Sequence, residues 1–462
     1  MQRDAFGLDL TAASAAAAKH YDDTVSGYLG FRRDVGDHLK ATFTADPTFA
    51  MAHCLKGYFY LLFCNPALDS RTAKTLADAE SAATVTNATE RERTHIAALS
   101  LWAKGDLSGA AARWETILAD HPRDVIALKL SHFAHFYGGD ARKLRDSVAR
   151  VLPGWSEKQP GYGYVLGMLA FGLEESGDYA AAEEAGRKAV ALSAGDIWAV
   201  HAVAHVYEMT GWLRDGIRWL RETEAGWKDC NNFAYHVWWH RALFHLELGE
   251  HEETLALYDA RVRGDQSEDY LDIANGVALL WRLENAGVNI GNRWVELADK
   301  VEKRLNDHVL AFIDAHYAMA LAWAGRVSAA QKLAEGARAA GAKGDTSQAP
   351  IHAKLGAPLC EAIAAYRGGT YAQTIDRLMP IRYALDGIGG SHAQRDLFHQ
   401  LLLAAALKAK DYKTARALAA ERVQQKRRSP SAWRAYGEAL VGAGDKDGAA
   451  RAQAEAERLR TQ

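Results

Sequence analysis

Cysteine and proline are both scarce in this chain of 462 residues. The four cysteines, at positions 54, 64, 230 and 360, form no C-x-x-C pair, so the sequence predicts free thiols in a reducing compartment rather than a disulfide framework. Only nine prolines interrupt the chain. Because proline breaks helices, this scarcity leaves room for a largely helical protein.

Strong net charge and long apolar runs are missing as well. The formal net charge is −3 with the two signs interspersed, so no large field attracts nucleic acid or an anionic membrane. No uncharged apolar run reaches the roughly 18 residues that a membrane-spanning helix needs, and the first residues lack the apolar segment of a signal peptide. We therefore expect a cytoplasmic protein with no membrane segment and no nucleic-acid partner.

A recurring turn is what the sequence does contain. The turns follow one another at intervals of 34 to 44 residues, and nine of the ten have glycine at the same place. They are centred on Gly105, Gly139, Gly177, Gly211, Gly249, Gly287, Gly325, Gly369, Lys410 and Gly444. A period of this length predicts stacked helix pairs, with the glycine in a tight turn at positive φ.

Small residues recur at two fixed distances from these turns. Seven residues before the turn stand Ala98, Ala170, Ala204, Ala242, Ala318 and Ala362. Five residues after it stand Ala110, Ala182, Gly216, Ala330 and Ala449. Small side chains at these places allow two antiparallel helices to approach closely, and no segment has the sustained alternation of a strand. The sequence predicts an all-α protein.

These turns and small residues resemble the tetratricopeptide repeat over roughly residues 15 to 460. More narrowly, "DPTFAMAHCLKGYFYLL" and "GIGGSHAQRDLFHQLLL" give the chain a resemblance to the tetratricopeptide-repeat protein 38 family. The resemblance implies a right-handed α-solenoid of antiparallel helix pairs. It also implies that residues 1–462 form a single superhelical repeat domain of about ten to twelve pairs, with atypical terminal units and a concave groove that carries the function.

Two clusters of histidine lie one repeat apart. His201 and His205 form an i,i+4 pair with Glu208 after them, and His236 and His240 repeat this spacing on the next helix. In the tetratricopeptide pattern, distances counted back from the turn glycine imply that several side chains face the groove. They are His201, His205, Glu208, His236, Trp239, His240 and, two repeats later, His316.

Three interpretations of the histidine clusters remain open from the sequence. The side chains form a hydrogen-bonded core or polar wall, or they bind a ligand, or they form a metal or acid–base site. In the third case His201, His205, His236 and His240 are candidate ligands or catalytic groups for a divalent metal. Glu208 would then be a further ligand or a general base.

A second candidate segment is "GGSHAQRD". Ser391 and Gln394 have the spacing of a helix capping box, which explains those two residues structurally. His392, Arg395 and Asp396 remain as candidate ligand-binding residues, although an adjacent Arg–Asp pair is often a local salt bridge. The basic string "QQKRRSPSAWR" at 424–434, by contrast, is expected to be a solvated segment between repeats.

The sequence thus favours a cytoplasmic tetratricopeptide-repeat protein that binds a peptide, a protein partner or a small ligand in a groove rich in histidine and tryptophan. The alternative is an enzyme, a metal-assisted or His/Glu acid–base hydrolase acting on a small molecule in the same groove. A homodimer is compatible with either function, because the ends of a solenoid expose helix faces.

Overall fold

A computed structural model describes residues 1–461, and these residues are almost entirely helical. They contain 26 α-helices and one small antiparallel ribbon, in which Gln2–Arg3 pairs with Asp9–Leu10. The prediction of an all-α fold is confirmed. Short 3₁₀ segments are found at Pro66–Leu68, Leu152–Gly154, Glu302–Arg304 and Arg382–Ile388, and π-helical turns at Tyr258–Val262 and His352–Gly356.

The α-helices follow one another through short connections. The first thirteen are α1 (Ala15–Leu29), α2 (Val35–Ala45), α3 (Ala50–Leu62), α4 (Asp69–Val85), α5 (Glu90–Ala103), α6 (Leu107–Asp120), α7 (Val125–Tyr137), α8 (Ala141–Val151), α9 (Tyr162–Glu175), α10 (Tyr179–Leu192), α11 (Ile197–Thr210), α12 (Leu213–Glu222) and α13 (Glu224–Trp227). The others are α14 (Phe233–Glu247), α15 (His251–Leu257), α16 (Tyr270–Asn285), α17 (Arg293–Val301), α18 (Ala311–Trp323), α19 (Val327–Lys343), α20 (Ala349–Ile351), α21 (Ala357–Arg367), α22 (Tyr371–Leu378), α23 (His392–Lys408), α24 (Tyr412–Gln425), α25 (Pro430–Gly442) and α26 (Lys446–Thr461).

The chain divides into two compact units. Unit 1 consists of Met1–Val203, Thr223–Ala234 and Gly344–Ala349, and unit 2 of Ala204–Glu222, Tyr235–Lys343 and the residues from Pro350 onward. In unit 1, consecutive helices pack as the pairs α1–α2, α3–α4, α5–α6, α7–α8 and α9–α10. In unit 2 the corresponding pairs are α16–α17, α18–α19, α21–α22, α23–α24 and α25–α26. Both units are therefore built from tetratricopeptide-like helix pairs.

The turns between paired helices have the backbone conformation that the sequence predicts. All nine predicted turn glycines have positive φ, between 66° and 84°. Lys410 occupies the tenth turn with φ of 60°, although a side chain makes this conformation unfavourable. The register of the repeat is therefore confirmed even where its glycine is absent.

The small residues beside these turns lie at close helix contacts. Ala204 and Ala242 are fully buried. A β-carbon added to Gly216 would lie 2.6 Å from the ring of Phe244, which is closer than two carbon atoms can approach. Close packing of neighbouring helices therefore explains why the sequence keeps alanine or glycine at these positions.

Two expectations about the environment of the chain can be compared with the structure. Within residues 1–461, none of the helices is both long and apolar enough to cross a bilayer. The four cysteines are free and buried, in agreement with the absence of a disulfide framework.

Candidate functional site

The histidines of α14 and the second half of α11 are buried. His205, His240 and Trp239 are fully buried, and His236 is almost so. The sequence predicts that these residues face a groove, whereas in the structure their side chains are covered. Asn275 and Arg282 of α16 lie against His236 and Trp239, and Lys426, which follows α24, lies against Glu208. These contacts join segments far apart in the chain, which local repeat spacing does not encode.

His205, His236 and His240, here called the histidine cluster, lie close together in unit 2. One ring nitrogen from each lies within 4.8 Å of the others. The ring centroid of His240 is 4.4 Å from that of His205 and 4.8 Å from that of His236. Trp239 stacks on His236 at 5.2 Å between centroids. His205 is therefore in contact with His236 and His240, which lie one repeat later in the sequence.

Two of these rings are oriented by oxygen acceptors. His236 Nδ1 lies 2.9 Å from Oδ1 of Asn275, and His240 Nδ1 lies 3.0 Å from Oε2 of Glu208. Because both partners are acceptors, Nδ1 is the donor in each ring, and in the neutral form of the imidazole Nε2 then carries the lone pair. The two rings therefore share one tautomer.

The electrostatic environment keeps two members of the cluster uncharged. Burial lowers the pKa of His205 and of His236 well below 6.5, and the neighbouring histidines lower it further. Both side chains are therefore neutral at pH 7. Neutral imidazole is the form that accepts a hydrogen bond or binds a metal ion.

His201 lies one helical turn before His205 on α11 and belongs to unit 1. It is buried, and its ring contacts Phe171, Trp198 and Phe233 at centroid distances of 5.2 Å to 5.3 Å. An aromatic environment thus accounts for the position of this imidazole.

Glu208 connects the histidine cluster to a charged network. One carboxylate oxygen accepts the hydrogen bond from His240, and the other lies 3.5 Å from Nζ of Lys426. Burial raises the pKa of Glu208, but the charge of Lys426 and the bond from His240 outweigh it and leave the pKa below 4.5. Glu208 is therefore a carboxylate at neutral pH.

Asp396 brings the second candidate segment into the same network. Its carboxylate lies 3.6 Å from Nζ of Lys426 and receives a hydrogen bond of 3.0 Å from Arg422. Although burial opposes ionisation, Arg422 and Lys426 hold the pKa of Asp396 well below its usual value. Lys426 therefore lies between Asp396 and Glu208 and joins the two candidate segments that the sequence identified separately.

The other residues of "GGSHAQRD" have structural contacts. The capping box between Ser391 and Gln394 is confirmed. Asp396 pairs with Arg422, and Arg395 pairs with Asp386. The guanidinium of Arg395 lies 3.1 Å from Asp386 and 3.4 Å from Nδ1 of His392, because successive residues on a helix point in different directions.

His316 lies in the core of unit 2. It is buried between the rings of Phe312 and Phe398, and its Nδ1 lies 2.8 Å from the carbonyl oxygen of Phe312. Burial lowers its pKa to about 4. His316 therefore has the environment of a core histidine.

A cavity of about 530 Å³ in unit 2 is lined by one side of the charged network. Five basic and four acidic side chains line it, together with leucine, alanine and phenylalanine. The charged lining residues are Arg282, Lys408, Arg422, Lys426, Arg434, Glu208, Glu247, Asp396 and Glu438. Of the residues predicted from the sequence, Glu208 and Asp396 belong to this lining.

Arg282 is the lining residue that sequence analysis misses most completely. It is buried, and it donates to the main-chain oxygens of Ala278 at 3.0 Å and Ala393 at 2.8 Å. Its guanidinium also lies 5.8 Å from the ring centroid of Trp239. It stands five residues before Gly287, a distance outside the set that the repeat pattern assigns to the groove. Only the fold brings it to the cavity.

The basic string at 424–434 is solvated only in part, at Gln424, Gln425 and Arg427. It was expected to be solvated, but Lys426 has a side chain only 13% exposed and points to Glu208 and Asp396. Ser429 is buried and hydrogen-bonds to Glu247, and the main-chain N–H of Ser431 lies 3.0 Å from the same carboxylate. Ion pairs and hydrogen bonds to other helices therefore bury part of this segment, although its residues are polar.

No family model matches the chain. Among solved structures it is similar to a human IFIT1 dimer with m7Gppp-AAAA, at 13% identity and a TM-score of 0.38, over 89% of this chain and 90% of that one. A tetratricopeptide repeat protein from Parabacteroides merdae is 13% identical with a TM-score of 0.29, over 64% and 93%. The P58(IPK) TPR domain is 14% identical with a TM-score of 0.23, over 80% and 93%.

The tetratricopeptide-like fold of this chain follows from its own helix pairs and positive-φ turns. The narrower resemblance to the tetratricopeptide-repeat protein 38 family remains a prediction.

Proposed function

We propose that this protein binds a small organic anion, a carboxylate with an apolar portion, in the cavity of unit 2. The observation that carries the proposal is the guanidinium of Arg282, which is buried at the cavity and donates to main-chain oxygens. Among the described residues, it has no carboxylate partner in an ion pair. A buried guanidinium gains strongly from an anionic partner, and a ligand carboxylate in the cavity would supply one.

The remaining charges of the cavity favour the same class of ligand. Arg422 is already paired with Asp396, and Lys426 lies between Asp396 and Glu208. Asp396 and Glu208 also favour the charged form of Arg282 from a distance, but each is already in contact with another cation. The lining as a whole has one more basic than acidic side chain, which suits a ligand with a single negative charge.

The volume and the apolar side chains of the cavity limit the size and polarity of the rest of the ligand. A volume of about 530 Å³ lies within the range of about 300 to 1,000 Å³ typical of small-molecule sites. Leu243, Phe244, Leu403 and Leu407 are among the lining residues. Burial of an apolar portion against them would add binding free energy of about 25 cal/mol per Å².

The test is calorimetric titration of the purified chain with aliphatic and aromatic monocarboxylates of increasing size, each beside its methyl ester. A tripeptide and its C-terminal amide distinguish a peptide terminus from a free organic acid, since both present the same carboxylate. We expect acids to bind and esters to bind at least about tenfold more weakly, because the ester cannot form the ion pair with Arg282.

Two variants locate the binding. Arg282→Lys should weaken the best acid about tenfold or more, because lysine lacks the planar fork of arginine. Arg263→Lys is the matched control, since Arg263 is also buried in unit 2 but pairs with Glu296 and does not line the cavity. Equal binding of acid and ester, or equal weakening by both variants, would contradict the proposal.

The hydrolase alternative has one supporting observation, the pairing of Glu208 with His240 at the cavity. Glu208 has a lowered pKa and already contacts Lys426, so it is a weak base. This favours binding over catalysis. Release of acid and methanol from any ester during the titration, followed by NMR, would favour the hydrolase instead.

The predictions of cellular location and of binding partners complete the proposal. We propose a cytoplasmic location, which the four free cysteines support. A protein partner, a homodimer and the absence of a nucleic-acid partner stay predictions. The oligonucleotide m7Gppp-AAAA, present with human IFIT1, enters the same titration, and its binding would make the last expectation wrong.

A further inference from the structure

The histidine cluster has a feature that ligand binding in the cavity does not explain. The hydrogen bonds of His236 to Asn275 and of His240 to Glu208 use Nδ1 in both rings. Metal-binding histidines typically donate one ring N–H to a carboxylate or carbonyl oxygen, which fixes the tautomer and directs the other nitrogen to the metal. An amide oxygen and a carboxylate provide these acceptors here.

We propose that His205, His236 and His240 bind a divalent transition metal ion, with Asn275 and Glu208 orienting two of the three rings. One nitrogen from each histidine already lies within 4.8 Å of the others. Three imidazole nitrogens suit zinc and its neighbours in the first transition row better than calcium or magnesium, which prefer oxygen.

Binding of a metal ion here depends on the charge near the histidine cluster and on the distances between its ring nitrogens. Glu208 supplies a negative charge directly behind His240, which partly compensates a dication in a buried place. Nitrogens bound to tetrahedral zinc lie about 3.4 Å from one another, and the present upper limit of 4.8 Å leaves only a small inward movement to reach that spacing. We therefore expect binding to rigidify the contact between α11 and α14 in unit 2.

This metal site is distinct from the cavity. Glu208 lines the cavity, whereas His205, His236 and His240 do not. The metal would thus be a structural ion beside the ligand-binding cavity, and its presence does not depend on the proposed carboxylate ligand. A failure of either proposal can be recognised separately, because metal binding is measured without ligand and ligand binding on chelator-treated protein.

The experiment starts from the full chain, stripped with a chelator and dialysed. Cobalt(II) is titrated in and its visible absorption recorded, since tetrahedral nitrogen-bound cobalt absorbs far more strongly than the hydrated ion. Zinc is then added to displace it, and bound metal is measured by elemental analysis. We expect close to one metal per chain. Binding of less than about a tenth of an equivalent at micromolar metal would overturn the proposal.

Variants identify the ligands. His236→Ala and His240→Ala should each abolish the cobalt spectrum. His316→Ala is the matched control, because His316 is also buried in unit 2 but lies between Phe312 and Phe398, and it should retain the spectrum. Retention of the spectrum by either cluster variant would overturn the assignment.

A variant of a residue that orients a ligand keeps the test informative if removal of a histidine impairs folding. Asn275→Ala leaves all three ligands in place but removes the acceptor for His236. We expect it to weaken metal affinity about 10- to 100-fold with the same spectrum at saturation. Unchanged affinity, with a circular dichroism spectrum matching the parent protein, would count against the orientation that the proposal assigns to His236.

Discussion

Each unit contains a buried carboxylate held by cations, and the one in unit 2 lines a cavity. In unit 1, Asp124 accepts hydrogen bonds from Arg91 at 2.7 Å and His95 at 3.0 Å. Its other oxygen accepts from the main-chain N–H of Ala127. In unit 2, Asp396 is held by Arg422 and Lys426 and lines the cavity. The two carboxylates have similar cationic partners, but Asp396 faces a cavity that a ligand could enter.

The difference shows why buried charge alone does not identify a binding site. The network around Asp124 satisfies its members internally, and Arg91 also donates to the main-chain oxygen of Asp9. Such a closed network fixes helix positions. Around Asp396 the charges face a cavity of about 530 Å³, beside the guanidinium of Arg282, which bonds to main-chain oxygens. The accessible space, rather than the burial, makes unit 2 the better candidate for ligand binding.

Asp124→Asn should produce the largest effect. Asparagine retains an oxygen for the Ala127 N–H but removes the charge that pairs with Arg91, so a buried guanidinium loses its partner. We expect a loss of about 3 to 5 kcal/mol in the free energy of unfolding, measured by urea denaturation. The exposed Lys74–Asp78 pair provides the control, where Asp78→Asn should change less than about 1 kcal/mol. Equal effects at the two sites would contradict the closed-network interpretation.

Acid should act on two buried groups, His316 and Asp124, in different pH ranges. Burial lowers the pKa of His316 in unit 2 to about 4. The unfolded histidine therefore binds a proton that the folded one does not below about pH 6.5, and stability falls by up to about 3 kcal/mol between pH 6.5 and 4. The pKa of Asp124 in unit 1 is lowered by His95 and Arg91 despite burial, so its contribution is lost only below about pH 3.8.

Two variants separate these ranges in denaturation curves recorded from pH 8 to 3. His316→Phe should lose less stability than the parent between pH 6.5 and 4, because it has no proton to take up on unfolding. The difference between the parent protein and Asp124→Asn should stay constant over that interval and shrink below it. A single shared interval would contradict the assignment of the two groups.

Asp396→Asn should have a smaller effect than Asp124→Asn, although it also removes a carboxylate between cations. The cavity allows water to reach Arg422 and Lys426 once the charge is gone, so their desolvation is relieved. We expect a loss of about 1 to 3 kcal/mol by urea denaturation. A loss as large as that of Asp124→Asn would mean that the cavity gives no solvation to these groups.

Local features of this fold can be predicted from the sequence, and long-range ones cannot. The turn at Gly211 and the close approach at Gly216 follow from residue type and spacing, and the structure has both. The same spacing places His205 and His240 on one face. It does not reveal that this face is covered or that Arg282 lies at the cavity, because those contacts depend on how distant helix pairs meet.

The smallest predicted effect compares equivalent turns in the two units. Lys410 in unit 2 adopts φ of 60°, whereas Gly177 in unit 1 has φ of 82°. Lys410→Gly relieves about 1 to 2 kcal/mol of left-handed strain but increases the flexibility of the unfolded chain. We therefore expect a net stabilisation of about 0.5 to 1 kcal/mol.

Gly177→Lys should destabilise by a similar amount through its backbone alone, since a β-carbon there meets no atom within 4 Å in the described residues. Opposite shifts in urea midpoint, with unchanged slopes, would establish that both units use the same turn, and shifts of the same sign would refute it.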